Sequence, residues 1–370
     1  MIETIMAVYD ILIIGSGPAG LSTAIAASRR GLSYLVIERG ALVNSIAKFP
    51  VNMVFFTTPE LLEIGGVPFT TPYEKPTRSE ALRYYRKVAD AQKLEIAFGE
   101  ALEGITQAAP GADGQATLIV KTRDVEGTAH ERRTKTVVLA TGAYDKPNRL
   151  DIPGEDLAHV RHYYNEAHPH WRKHVVIVGG QNSAAEAALE LYRNGAKVTI
   201  VHRKPEFGTS LKYWVKPDIE NRVREGSVAA RFNARLIEIK LTSVVVEQKQ
   251  SDGSVVTEAL PADAVFLLTG YRSDTDLLAA CGVKFNPVSF EPDHDPETFE
   301  SNVPNLFLAG QVLTGRQSGK IFIENGRFHG ERVVEVIARR LGVMTPAPAV
   351  RVAVNEPDTV AQVAAAAAVK

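Results

Sequence analysis

A short β-branched strand that runs straight into a glycine-rich turn occurs twice in this 370-residue chain. Val8 to Ile14 leads into Gly15-Ser16-Gly17-Pro18-Ala19-Gly20 and an alanine-rich stretch to Arg30. His174 to Val178 leads into Gly179-Gly180-Gln181-Asn182-Ser183-Ala184 and an Ala/Glu/Leu stretch to Asn194. Each reads as strand, tight turn and helix, where small residues let a pyrophosphate approach the backbone at a helix N-terminus. Glycine spacing alone is weak evidence, but here a second strand follows each helix. Leu32 to Ile37 ends at Glu38-Arg39, and Lys197 to Val201 ends at His202-Arg203-Lys204.

The rest of each copy repeats as well. In the first, a Thr-x-x-Glu capping box at Thr77 opens a helix through Ala91. Short β-like runs between Leu102 and Lys135, broken at Pro110 to Gly114 and at Glu126-Gly127, read as hairpins. Thr136 to Leu139 then forms a strand that stops at Ala140-Thr141-Gly142. The second copy has a hairpin region from Leu236 to Glu258 and a closing strand from Ala264 to Leu268 before Thr269-Gly270. Asn305 to Ala309 adds a strand ending at Gly310-Gln311, and Lys320 to Arg340 looks helical.

This order nests one copy inside the other. The expectation is an α/β protein of two Rossmann-like, three-layer dinucleotide-binding domains, 1–145 with 272–342 and an inserted 146–271, followed by a flexible tail 343–370. Two short crossings, near Asp145 and Arg272, would let the domains rotate. The strand ends differ in charge, which separates their ligands. Glu38 can accept from ribose hydroxyls and would repel a 2′-phosphate, so the first copy suits FAD. Arg203 and Lys204, beside His202, can pair with that phosphate, so the second suits NADPH.

Composition removes other classes. With 42 Lys plus Arg against 43 Asp plus Glu, the net charge is −1, and no one-sign run would follow nucleic acid. The N-terminus lacks a signal-peptide pattern and no apolar run is long enough to span a bilayer, so a cytoplasmic protein is expected. A single cysteine, Cys281, excludes an intrachain disulfide, a Cys-x-x-Cys pair and a multi-cysteine zinc site. No metal is expected.

The two nucleotide folds resemble the thioredoxin-reductase type of FAD-dependent pyridine nucleotide-disulfide oxidoreductases, over residues 8 to about 340. Lys48-Phe49-Pro50, Phe55 to Gly66, Lys212 to Glu220 and Ile321 to Gly330 are similar to the YpdA family of bacillithiol-disulfide reductases. The resemblance implies a homodimeric flavoprotein that passes electrons from NADPH through FAD to a small-molecule disulfide or another acceptor. It places FAD against Gly15 to Gly20, Glu38, Arg39, Lys48, Ala140, Thr141, Gly142, Gly310, Gln311, Lys320 and Ile321. Lys320-Ile321 would begin the helix that faces the flavin N1/C2 edge. NADPH falls against Gly179 to Ala184, His202, Arg203, Lys204, Thr269 and Gly270.

Three positions depart from the relatives. The segment that holds Cys-x-x-Cys-Asp in thioredoxin reductases reads His162-Tyr163-Tyr164-Asn165-Glu166. The position after Pro18, a cysteine in many YpdA members, is Ala19, and the usual aspartate after Gly310 is Gln311. An amide still hydrogen-bonds a ribityl hydroxyl. Without a protein dithiol, His162 and Glu166 are the candidate proton donors, since disulfide cleavage leaves a thiolate to protonate. The competing readings are a ferredoxin or flavodoxin–NADP reductase, a flavin monooxygenase, and a non-catalytic redox sensor. Residues 343–370 lack the aromatic flavin cover expected of the first, and no Phe-x-Gly-x-x-x-His precedes the second turn.

Overall fold

The computed structural model describes residues 8–108, 117–317 and 319–343. The turn expected at Pro110 to Gly114 and nearly all of the expected flexible tail lie outside these. Among the described residues the chain divides into two compact units, one from 8–48, 54–146 and 271–343, the other from 49–53 and 147–270. Residues 49–53, which the motif order assigns to the first domain, cluster with the second unit. Val51 N donates to Asn165 O (3.0 Å) and Asn52 Nδ2 to Glu190 Oε1 (2.9 Å).

In the first unit the strands run in the order Ile96–Phe98, Tyr34–Glu38, Val8–Ile14, Ala129–Leu139, Leu118–Asp124, Glu100–Gln107. Ala129–Leu139 performs two tasks along its length. Its first half pairs antiparallel with Leu118–Asp124, and its second half pairs in parallel with Val8–Ile14 and with Leu306–Leu308. Alternation fades accordingly: Arg132 and Arg133 precede a fully apolar, fully buried Val137-Val138-Leu139. Helix Pro18–Arg29 buries Ala24, Ala26 and Ala27 in one core with this sheet. Helix Arg78–Ala91 begins at the capping box, Thr77 accepting from Glu80 N and Glu80 from Thr77 N, an arrangement worth about 1 kcal/mol.

The second unit repeats the plan at smaller size. Five parallel strands run Ala229–Arg231, Lys197–Val201, His174–Val178, Ala264–Leu267, Val160–Arg161. An antiparallel sheet of Ala234–Ile239, Ser243–Lys249 and Val255–Pro261 packs Leu236, Val244 and Val246 beneath it.

One expected helix is two. Lys320 to Arg340 breaks into Ile323–Gly326 and His329–Arg340, and neither includes Lys320 or Ile321. Asn325 blocks an earlier start, its Oδ1 accepting from Phe322 N (2.8 Å) while its Nδ2 donates to Lys320 O (3.1 Å). Arg327 lies in the break, and its guanidinium reaches Glu60 O (2.8 Å) and Glu63 O (2.6 Å). Among the described residues no helix is long and apolar enough to cross a membrane.

Candidate nucleotide sites

The first glycine turn is fixed by backbone contacts. Gly15, at φ 105°, donates its N–H to Ile37 O (2.8 Å), and a Cβ there would stand 2.6 Å from Ala140 O. A Cβ on Gly20 would stand 1.9 Å from Gly15 O, so that position admits only hydrogen. Gly17 differs, because a Cβ there would meet nothing within 4 Å. It caps helix Pro18–Arg29, whose first turn carries no side-chain cap and no acidic residue. The Ala19 and Gly20 amides, in that first turn, therefore lack intrahelical acceptors.

Glu38 closes this turn from the neighbouring strand. Its buried carboxylate accepts from Ser16 N (2.8 Å), Ser16 Oγ (2.9 Å) and Gly40 N (2.7 Å), leaving lone-pair capacity for a further donor. Val43, a β-branched residue held at φ 47°, donates to Ser16 O (3.2 Å), a strained conformation at the edge of the same turn. Arg39 and Lys48 are drawn together by Asp145, at the end of the first stretch of the first domain. Asp145 Oδ2 lies 2.5 Å from Arg39 and Oδ1 2.6 Å from Lys48. Burial pushes the Asp145 carboxyl up, but the two cations hold it below its ordinary value.

The late strand brings Gly310 to this turn: a Cβ there would lie 2.8 Å from the Ala19 Cβ. Gly310 N donates to His329 Nδ1 (3.2 Å), and burial depresses the His329 pKa to about 4, with Arg332 and His294 adding to the effect, so the ring stays a neutral acceptor. Thr141, Gly142 and Gln311 are half-buried beside Ala140 and Gly310 in sequence, and a Cβ on Gly142 would meet open space. Lys320 is exposed and ion-paired with Glu291 (3.0 Å), while Ile321 packs against the first core. The residues present fit a flavin dinucleotide: an open cradle at Gly17, uncapped amides and a carboxylate for hydroxyls.

The second turn copies the backbone and changes the side chains. Gly179 donates to Val201 O (3.1 Å), and a Cβ there would stand 2.6 Å from Leu268 O. Where the first turn has Ser16 and Glu38, the second has Gly180 and His202, and the imidazole lies over the glycine, 2.4 Å from where a Cβ would be. His202 is thereby separated from the cations with which the sequence groups it. It is buried, its Nε2 has no hydrogen-bond partner, and burial followed by Arg203 and Lys204 lowers its pKa. Arg203 and Lys204 themselves are exposed.

Gln181 replaces Gly17, and the loop after Lys204 folds onto it. Gly208 N donates to Gly180 O (3.0 Å), Ser210 Oγ to Gln181 Oε1 (2.8 Å), Asn182 Nδ2 to Ser210 O (3.1 Å) and Lys212 N to Asn182 Oδ1 (2.8 Å). Ser183 and Ala184 open helix Asn182–Arg193, again with no side-chain cap and no acid in the first turn. Thr269 Oγ1 donates to Asn148 O (2.5 Å) and Gly270 O accepts from Asn148 N (2.9 Å), anchoring the end of the closing strand. Glycines, uncapped amides and exposed cations fit a pyridine nucleotide.

The two candidate proton donors are placed differently. Glu166 is exposed, and the carboxylate beside His162 is Glu155, whose Oε1 is 3.5 Å from His162 Nε2. Burial lowers the His162 pKa and Glu155 works against that; His162 Nδ1 is buried without a partner. Glu155 is anchored by Leu150 N (3.1 Å) and Asp151 N (2.7 Å). Its signal was the turn Pro153-Gly154-Glu155, in which a Cβ on Gly154 would stand 1.9 Å from Ile239 O.

This architecture defines a two-nucleotide oxidoreductase. The chain belongs to the family described as pyridine nucleotide-disulphide oxidoreductase, which it matches over residues 12–310, and its cofactors are FAD and a reduced pyridine nucleotide. It is 39% identical over 329 residues to the bacilliredoxin reductase Bdr of Bacillus subtilis (strain 168), spanning 89% of this chain and 97% of that protein. Among solved structures it is similar to the bacillithiol disulfide reductase Bdr (YpdA) from Bacillus cereus, with 37% identity and a TM-score of 0.84 over 90% of this chain and all of that one. The Staphylococcus aureus structure of the same description gives 34% identity and a TM-score of 0.83, over 90% of this chain and 99% of that one.

Proposed function

We propose that the first unit holds FAD, the second holds NADPH, and electrons pass to a low-molecular-weight disulfide such as bacillithiol disulfide without a protein thiol. The observation that carries this reading is the divergence of two copies of one turn. Glu38 closes the first beside an open Gly17, whereas Arg203 and Lys204 stand exposed at the end of the second. Bound in the first unit, FAD supplies two-electron redox chemistry between a hydride donor and an acceptor. The names borne by the similar proteins support a bacillithiol-linked acceptor.

The chain's residues then divide the work. Gly15 and Gly20 let the helix approach the strand, Glu38 receives ribose hydroxyls, and the uncapped Ala19 and Gly20 amides face a pyrophosphate. Arg203 and Lys204 receive the 2′-phosphate. Hydride from NADPH and one proton convert a disulfide into two thiols, so a proton donor is needed. His162, held by Glu155, is the favoured one. A homodimer in the cytoplasm completes the reading.

Cys281 stands outside the chemistry: it is buried in the first core, and burial pushes its thiol up to about 12. Rapid mixing of the flavoprotein with NADPH, then with bacillithiol disulfide, should show flavin reduction followed by reoxidation. Cys281→Ser and prior alkylation should leave both phases intact. Loss of reoxidation on alkylation, with nucleotide binding retained, would return Cys281 to the mechanism.

A further inference from the structure

We infer that Arg272 and Arg316, stacked on the Phe290 ring in the first unit, form a binding site for the carboxylates of an anionic acceptor disulfide; this rests on the disulfide-reductase reading. The Arg316 guanidinium carbon lies 4.2 Å from the ring centroid and that of Arg272 5.0 Å. Three segments distant in sequence are locked together to achieve this. Arg316 N donates to Ser289 O (2.8 Å), Phe290 N to Asn286 O (2.8 Å) and Ser273 N to Gly315 O (3.1 Å).

The platform is built at a conformational cost. Phe290 is an aromatic residue at φ 59°, and Gly315 sits at φ 54°, where a Cβ would be 2.2 Å from Ser289 O and 2.5 Å from Glu291 N. That strain delivers two cations to one ring. Neither guanidinium has a carboxylate partner among the described residues; Arg272 Nη1 donates to Thr275 Oγ1 (2.9 Å). The nearby acids are engaged elsewhere, Glu291 with Lys320 (3.0 Å), and Asp274 and Asp276 with Lys146 (3.3 and 3.4 Å).

Two like charges confined to one ring repel each other, and an anion accepting from both turns that repulsion into attraction. A stacked guanidinium keeps its in-plane N–H groups for such an acceptor, and the ring reduces the side-chain freedom lost on binding. Arg316 also lies in the chain between Gly310-Gln311 and Lys320-Ile321, the stretches that the flavin reading places beside the cofactor. A small disulfide whose acid group is held there is kept on the flavin-binding polypeptide rather than on the NADPH unit.

The test uses the FAD-loaded protein and two small disulfides of opposite charge, dithiodiglycolate and cystamine. Calorimetry should show dithiodiglycolate binding that weakens with salt and falls about tenfold or more in Arg316→Gln and in Arg272→Gln, with partial recovery in Arg316→Lys. Cystamine should bind no better to the wild type than to the variants. Equal dithiodiglycolate affinity in all proteins, or the same loss for cystamine, would overturn the site. Mixing each disulfide with NADPH-reduced protein separates the two readings. Arginine-dependent binding without reoxidation supports the anion site and removes the disulfide reading, and reoxidation indifferent to both arginines does the reverse.

Discussion

The two glycine turns share a backbone and almost nothing else. Gly15 and Gly179 each donate to the end of the next strand, and each would push a Cβ to 2.6 Å from a carbonyl of the closing strand, Ala140 O or Leu268 O. The side chains diverge at three matched positions: Ser16 against Gly180, Gly17 against Gln181, and Glu38 against His202. In the first copy a carboxylate ties the turn by two hydrogen bonds from Ser16 and the middle of the turn is bare. In the second a neutral ring lies over the turn, a folded loop covers its middle, and the charge has moved outward to Arg203 and Lys204. The difference teaches that the strand–turn–helix skeleton is the reusable part, while ligand preference resides in residues that can change without disturbing it.

Substitutions should expose that division. The largest effect is expected at Gly20→Ala, whose Cβ would collide with a backbone oxygen that cannot move aside; soluble flavoprotein should be lost. Gly180→Ala meets the His202 ring first, a side chain rather than backbone and in the other unit, and should retain full flavin content. Wild-type flavin retention in Gly20→Ala would break the comparison. Next comes Gly17→Ala: with φ −69° and open space at the Cβ, the polypeptide should fold normally while flavin affinity, measured by filtration and absorbance, falls about tenfold.

Arg203→Ala should raise the KM for NADPH about tenfold and leave NADH nearly unchanged, because one charge-assisted phosphate contact is lost. An equal loss for both coenzymes would mean that the exposed cations do not select between them. A last effect, on folding rather than on ligands, concerns acid. His329 titrates near 4 in the folded protein and near 6.5 when unfolded, so below pH 6.5 the unfolded chain binds the extra proton. Its presence therefore destabilises the native state progressively from about pH 6.5 down to about 4, and no further below. His329→Gln should flatten this part of the denaturation-versus-pH curve; an unchanged slope would assign the loss to other groups.

Sequence reading reached what is local. The two strand–turn–helix units, the Thr77–Glu80 capping box and the antiparallel sheet between Ala234 and Pro261 rest on neighbours a few residues apart, so pattern and spacing describe them. The pairing of Arg39 and Lys48 with Asp145 was not legible, because nothing in the spacing of distant charges says which will meet. The same holds for Glu155 beside His162 and for the two arginines on Phe290. The helix break at Arg327 escaped for a different reason. Periodicity runs across it, and the partners of Arg327 there, the carbonyls of Glu60 and Glu63 and the Ser22 hydroxyl, come from segments far away in sequence.

The double role of strand Ala129–Leu139 also sets a timetable for synthesis. Val137 through Leu139 pair with Leu306 through Leu308, so the first unit's sheet has one side incomplete until the chain has been made past residue 309. The sheets of the second unit are supplied entirely by residues between Val160 and Leu267, and all their strands leave the ribosome earlier. The inserted unit can close while its host still waits for its last strand. During that interval Val137–Leu139 is paired with Val8–Ile14 on one side only, and its other edge is an open apolar strand exposed to mispairing.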